Sequence, residues 1–290
     1  MINENQNIKW GLSKNVNFCK LCVISNQRPS TVLEHKHNVS SIKPTIGFKD
    51  GICSACRYHD YKYNKVDWEK REKELQVLCN KYRSSDGSYD VICPGSGGKD
   101  SMYVAHILKE KYGMNPLTVT WAPHMYTDIG WRNLQAWIEG GFDNILITPN
   151  GKVHKKLTKF AFENLLHPFQ PFIIGQKSIA SKIALMHNIK LIFYGENEAE
   201  YGNPIADNAS SKRAYEYFST SEASEVFIGG TSVSELKSDF GVTDNDLYQY
   251  MPCNPNDLEE KGIEVHYTGY YMKWHPQQNY YYAVEHMDFE

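Results

Sequence analysis

The residues with the most chemistry to offer lie in "PGSGGKDS", residues 94–101, between the apolar run "YDVIC" and the run "MYVAHILKEKYG". A glycine-rich turn that leads from a strand into a helix leaves backbone N–H groups unpaired and outward-facing, and the helix dipole adds positive charge at the same place. Ser96, Gly97, Gly98, Lys99, Asp100 and Ser101 are therefore candidates for gripping a chain of phosphates. The amides and the Lys99 ammonium would face the oxygens, and Asp100 would hold a magnesium ion against them. Lys99 is followed by Asp100 rather than Ser or Thr, so the Walker pattern is absent, and the glycines do not form GxGxxG. A glycine turn that serves only close packing is the competing explanation.

A second set is "CKLC" with "CSAC". Cys19, Cys22, Cys53 and Cys56 form two chelating pairs, as a tetrahedral zinc ion requires, although the interval between the pairs is longer than in common zinc fingers. Four thiolates would close the coordination sphere, so the site is expected to be structural and to stabilise a core-poor segment. Unligated core cysteines or a redox pair are the alternatives. His35 and His37, in "EHKH", are expected to be solvent-exposed. Cys79 and Cys93 are expected to be buried filler, and Cys253, in "MPCNP", a loop residue without assigned purpose.

The elements that must position these residues follow from periodicity. Of 290 residues, 22% are charged and the formal net charge is −3, which lacks the basic excess of a phosphate-tracking nucleic-acid binder. No run of about 18 apolar residues and no charged-then-apolar leader occurs, so neither a membrane span nor a secretory signal is expected, and a cytoplasmic protein is. "YDVIC", "LTVTW", "NILIT" and "LIFY" are short apolar runs separated by helical patterns. They predict an α/β fold, an open and mostly parallel sheet with helices on both faces. "RSSDGS", near residue 86, divides a zinc module with its linker helix (1–86) from the nucleotide domain with a C-terminal substrate or lid region (87–290). Leu75, Leu78, Cys79 and Tyr82 recur on one face of the linker helix. Helices are also predicted after the first strand, ending at Gly113, and over 153–166 and 178–187, with loops and short helices over about 196–262.

Ser-Gly-Gly-x-Asp-Ser after a first strand resembles the pyrophosphate loop of the N-type ATP pyrophosphatases, the PP-loop group of the adenine nucleotide alpha hydrolase-like fold. That resemblance implies ATP split between its α and β phosphates, with AMP passed to a substrate oxygen. "FCKLCVISNQRP", "DGICSACRYHD", "VICPGSGGKDS", "LIFYGENEAEYG" and "YYMKWHPQQNYYYAVEH", in that order, make the chain from about residue 17 onward similar to the bacterial N-acetyl sugar amidotransferases. The resemblance implies conversion of a sugar acetamido group, on a sugar or nucleotide-sugar, into an acetamidino group for surface polysaccharide such as lipopolysaccharide O-antigen. Relatives of that kind run on past "YAVEHMDFE", so this chain is expected to be shorter than they are.

Lys99 and Asp100 would then be catalytic, joined by Glu196 and Asn197 from "GENEAEYG", where a carboxylate could bind magnesium or take a proton from incoming ammonium. A solvated acidic loop is the plainer explanation of those residues. Gln176 and Lys177, read as preceding a helix, could hold a substrate phosphate or carboxylate, and Trp121 and Ala122 end the strand where such enzymes contact adenine. Tyr270, Tyr271, Trp274, Tyr280, Tyr281 and Tyr282 could stack on a sugar or base, with a packing surface the simpler reading. Neither a terminal cysteine nor a Gly-x-Cys-x-Gly elbow is present, so ammonia is expected from separate glutaminase and cyclase-like subunits. The rivals are a tRNA thiolase, which combines a zinc module with the same loop, and a non-catalytic zinc and nucleotide scaffold.

Overall fold

The computed structural model describes residues 12–196, 198–203 and 210–290. A small hairpin, β1 (Phe48–Lys49) and β2 (Ile52–Cys53), leads into α1 (Ser54–Asn64) and α2 (Trp68–Tyr82). The central run is β3 (Val91–Pro94), α3 (Lys99–Glu110), β4 (Pro116–Trp121), α4 (Asp128–Glu139), β5 (Asp143–Ile147), α5 (Gly151–Leu165), α6 (Gln170–His187) and β6 (Leu191–Tyr194). A second hairpin, β7 (Phe227–Ile228) and β8 (Thr231–Ser232), precedes α7 (Val233–Ser238), α8 (Asp244–Leu247) and α9 (Pro255–Glu260). The chain closes with β9 (Glu264–Tyr267), α10 (Thr268–Tyr271) and α11 (Pro276–Met287).

Five of these strands form an all-parallel sheet in the order β5-β4-β3-β6-β9. Alternation along β3 feeds both faces: Ile92 joins Leu117, Val119, Ile179, Ile183 and Ile192 on the α5–α6 side, while Val91 and Cys93 join Met102, Leu108, Leu134 and Trp137 under α3 and α4. Continuous apolar runs read as doubly covered strands for this reason. Helix α2 also enters the second core, through Leu75 and Cys79, both fully buried. The C-cap of α3 is Lys111, and the left-handed glycine expected there follows two positions later at Gly113, with φ +62° and its N–H donating to the Lys109 carbonyl at 2.9 Å.

The structure corrects several expectations. His35 and His37 are 4% and 8% exposed, not solvated: Glu34–Lys36 is a 3-10 turn held down where the Gln170 side chain donates to the Glu34 carbonyl at 2.8 Å. Helix α6 begins at Gln170 rather than near 178, with Pro171 in its first turn, where its fixed φ and missing donor cost nothing. Gln176 and Lys177 therefore lie inside the helix rather than before it. Cys253 is buried and pairs with Ser219 in a short parallel bridge. The edge strand β9 escapes a periodicity reading because Glu264 and His266 interrupt its apolar character; their side chains are 3.1 Å apart.

Two stability predictions follow from the packing. A Cβ on Gly175 would lie 2.3 Å from Trp121 Cζ2. Glycine-to-alanine in a helix interior ordinarily stabilises by about 1 kcal/mol, whereas overpacking costs about 1–3 kcal/mol. Gly175→Ala is thus expected to lower the unfolding free energy in a urea titration. Burial holds His35 and His154 down to about 4, from an ordinary value near 6.5. The folded chain keeps both neutral while the unfolded chain takes up protons, so stability present above about pH 6.5 is lost as pH falls toward 4. Thermal melts across that window should record the decline, and His35→Gln should make it shallower.

Candidate nucleotide cleft and metal centre

Strand β3 is first in the main sheet yet central, with β4 on one side and β6 on the other. The connections leaving its neighbours run in opposite directions, which opens a crevice beyond the carboxyl ends of β3 and β6. The loop 94–98 and the loop after β6 flank that crevice. A cleft of about 350 Å³ lies there, bounded by Gly95, Ser96, Gly98, Asp100 and Ser101 on one side and by Tyr194, Glu196, Glu198 and Tyr201 on the other.

Backbone geometry shapes the loop. Gly97 has φ +85°, and a Cβ there would lie 2.4 Å from the Asn133 carbonyl oxygen, so both conformation and space demand glycine. Gly98 is the N-cap of α3, has open space where a Cβ would be, and provides no side-chain cap. The Ser101 hydroxyl donates to the Gly98 carbonyl at 2.8 Å, and the Gly95 N–H is taken by the Val119 carbonyl at 2.9 Å. What is left is a 12-residue helix whose first-turn amides open on the cleft. Lys99 and Asp100 contact each other as an ion pair, and Asn279 of α11 donates to the second Asp100 oxygen at 3.2 Å. An arriving polyphosphate would compete with Asp100 for the Lys99 ammonium.

The opposite wall carries the acidic segment. Glu196 accepts from the Tyr201 hydroxyl at 3.4 Å, and Tyr201 is pushed up to about 12 by burial first and then by the negative charge of Glu196 and Asp100. Asp100 and Glu196 thus present two carboxylates to one cleft, a donor set that fits a hard divalent cation. Glu198 faces the buried Arg213 guanidinium at 3.3 Å. Glu200 turns away to Lys62 at 2.6 Å, with its carboxyl raised by burial despite that partner. Asn197 lies outside the described residues.

Gln176 and Lys177 reach the cleft from α6. Trp121 does not: its ring is 2% exposed and packed on Gly175. Ala122 borders a different cavity beyond β4 and β5, with Pro123, His124 and His154. Of the C-terminal aromatics, Tyr271 and Trp274 are buried in the second core and none of the six lines the cleft. Sequence reasoning missed Phe218 and Tyr267, which do, and Arg213 behind them. Tyr267 ends β9 and is reached only through tertiary pairing with Tyr194, on which its ring stacks at 5.7 Å.

Cys19, Cys22, Cys53 and Cys56 converge, with all four Sγ atoms within 4.8 Å of one another, Cys19 to Cys56 at 3.9 Å and Cys22 to Cys53 at 3.7 Å. Zinc–thiolate bonds of about 2.3 Å arranged tetrahedrally give sulfur–sulfur edges of about 3.8 Å. The fit is to one ion; an iron–sulfur cluster would need its thiolates spread around several metal and sulfide atoms. N–H groups of Leu21 and Cys53 donate to Cys19 Sγ at 3.4 and 3.3 Å, and the Cys53 amide is the main reason its thiol is held down to about 6. Burial pushes up the three thiols outside the cluster, to about 12 at Cys79 and about 11 at Cys253, and raises Cys93 as well.

No protein-family profile matches the chain. An uncharacterized protein of Methanocaldococcus jannaschii is 40% identical over 53 residues, which is 18% of this chain and 19% of that protein, so the match spans under a fifth of the relative's length. Among solved structures, the chain aligns with a U34-tRNA thiolase of Methanococcus maripaludis, determined with its 4Fe-4S cluster, at TM-score 0.39 and 14% identity over 94% of this chain and 73% of that one. It aligns with an NH3-dependent NAD synthetase of Campylobacter jejuni at TM-score 0.36 and 15% identity over 63% and 78%. A third alignment, to NMN synthetase of Francisella tularensis, has TM-score 0.37 and 12% identity over 68% and 94%. Similarity at this level says nothing of substrate.

The purified chain is expected to carry close to one zinc per chain by plasma mass spectrometry, and Cys19→Ser or Cys53→Ser should remove it. Several irons per chain with sulfide would contradict the single-ion geometry.

Proposed function

We propose that this chain is an ATP-dependent, AMP-forming amidotransferase that converts a sugar acetamido group into an acetamidino group. The reading is supported chiefly by one observation: an uncapped glycine turn at the sheet's switch point shares its cleft with Asp100 and Glu196, and Lys99 is paired to that Asp100. Such an arrangement suits a reaction in which diphosphate is the leaving group, because fixed amide dipoles and an ammonium stabilise charge as it accumulates on the departing oxygens.

An amide carbonyl is too weak an electrophile for ammonia to displace its oxygen directly. In the proposed sequence that oxygen attacks the α-phosphorus of ATP, the bond to pyrophosphate breaks, and the acetamido group becomes an O-adenylyl imidate. Ammonia adds to the imidate carbon, the carbon–oxygen bond breaks, and AMP leaves with the original oxygen. The amidine remains. Ser96, Gly97, Gly98, Lys99 and Ser101 would hold the β and γ phosphates. Magnesium, held by Asp100 with Glu196, would neutralise phosphate charge. Glu196 is also within reach of the cleft for taking a proton from ammonium, and Gln176 and Lys177 would orient the acceptor. Ammonia would come from separate glutaminase and cyclase-like subunits, as the resemblance implies.

Thiolation of RNA would call for a sulfur nucleophile near the loop. None of the seven cysteines lines the cleft: four are in the metal cluster, Cys93 is buried in β3 just before the loop, and Cys79 and Cys253 are buried in the cores.

With ATP, ammonium and a panel of acetamido sugars, free or nucleotide-linked, the chain is expected to form AMP and pyrophosphate together with acceptor that has exchanged oxygen for NH by mass spectrometry. Lys99→Ala should reduce kcat/KM about 10²–10³-fold. ADP and phosphate as the products would overturn the assignment.

A further inference from the structure

The four-cysteine site is not remote from the cleft. Ser54 and Ala55 lie between the ligand residues Cys53 and Cys56 at the start of α1, and these two residues close on Gly202. The Ser54 hydroxyl donates to the Gly202 carbonyl, and Gly202, at φ +77°, comes so near that a Cβ would stand 2.7 Å from the Ala55 nitrogen. Three more ties run from the module to the same stretch. Arg28, six positions after Cys22, donates to the Tyr201 carbonyl; the Thr31 hydroxyl donates to Glu198 at 2.9 Å; and Lys62 of α1 pairs with Glu200 at 2.6 Å. Lys62 is also 3.2 Å from the Trp274 carbonyl, and the Trp274 ring backs Gly195.

Residues 198–203 therefore form a wall of the cleft that is tied at several points to the module. It is a 3-10 turn, Glu198–Tyr201, followed by a left-handed glycine. The glycine loop on the other side is held differently, by Asn133 of α4 and by Val119 of β4, within the main sheet. The glycine loop thus hangs on the main sheet, while the facing wall is tied to the cysteine module as well as to β9, the latter through Glu198 and Arg213.

From this juxtaposition we infer that the metal-bound cysteine module is the positioning device for the acceptor wall. Coordination of Cys53 and Cys56 fixes the first turn of α1, that turn fixes Gly202 and Tyr201, and they set where Glu196 and Glu198 stand. Metal occupancy governs engagement of the acceptor and leaves the phosphate-binding loop intact. Identification of the acceptor as a sugar rests on the function proposed above; the mechanical coupling does not. Arg28, Thr31, Ser54 and Lys62 are positioning residues here, since none touches the reacting atoms.

The test compares the full-length zinc-loaded chain, the same chain after zinc removal by chelation, and Gly202→Ala, which pries the wall from the module while sparing every ligand. Gly202→Ala should keep its zinc. In both perturbed forms, amide exchange over 198–203 should quicken at least about 10-fold while exchange over 95–102 is unchanged. The Kd of a non-hydrolysable ATP analogue should stay within about 3-fold, and in turnover the KM for the acceptor should rise about 10-fold with that for ATP unmoved. Unchanged exchange at 198–203 in Gly202→Ala, or equal loosening of both walls, overturns the inference. If the unmodified chain turns over no acetamido sugar, the amidotransferase reading fails, and the exchange and nucleotide-binding measurements still decide the coupling.

Discussion

A carbonyl oxygen of α4 lies where a side chain at residue 97 would have to be. The Asn133 oxygen is 2.4 Å from the ideal Cβ position of Gly97, and the left-handed turn this contact demands brings the chain off β3 and into α3 without a capping side chain. The shape of the cleft's glycine-loop side descends from that constraint. Because no side chain caps the helix, its first-turn amides stay open; because the turn is tight, Asp100 lines the cleft from the first turn of α3, with Lys99 paired to it. The parallel sheet supplies the rest, since β3 sits at the point where successive strands switch sides.

The facing wall obeys another logic. Its backbone is short and irregular, and it gains order from outside, through hydrogen bonds and ion pairs from a module whose own core is little more than Cys19, Ile46 and Cys53. A segment with so small an apolar core cannot offset the entropy of its own ordering, and metal ligation is the chemical means by which such segments hold shape. Buried ionic ties such as Lys62 with Glu200 are directional and fail sharply when either partner is displaced. The combination gives a cleft with one half set in the parallel sheet and a facing half that leans on the four-cysteine module as well. For the reaction proposed above, such a division would separate nucleotide affinity from acceptor engagement.

Much of this was legible in the amino-acid order because it rests on local rules. Strand β6 matches the run "LIFY" residue for residue, α2 presents Leu75 and Cys79 inward as its spacing demands, and two Cys-x-x-Cys pairs come together although more than thirty positions separate Cys19 from Cys53. The glycine loop was recognisable because strand, turn and helix are consecutive. Trp121 was misleading: a large aromatic at a strand's carboxyl end is a natural ligand contact, but Gly175 on α6 leaves a hollow that the ring fills instead. His35 and His37 looked hydrophilic until a distant glutamine side chain, Gln170, drew their turn into the interior.

What the chain's order determined by itself, then, was each contiguous device: the amide turn with its lysine and aspartate, the chelating cysteine pairs, and the runs that become doubly covered strands. These depend on backbone conformations and side chains within a few residues of one another. What only tertiary structure decided was which devices share a space. Tyr267, Phe218 and Arg213 come to the cleft from far along the chain, and Ser54 comes to rest on Gly202 across 148 positions. Contacts at such separation leave no periodic trace in sequence, because their residue types are chosen by the one neighbour that packing happens to deliver.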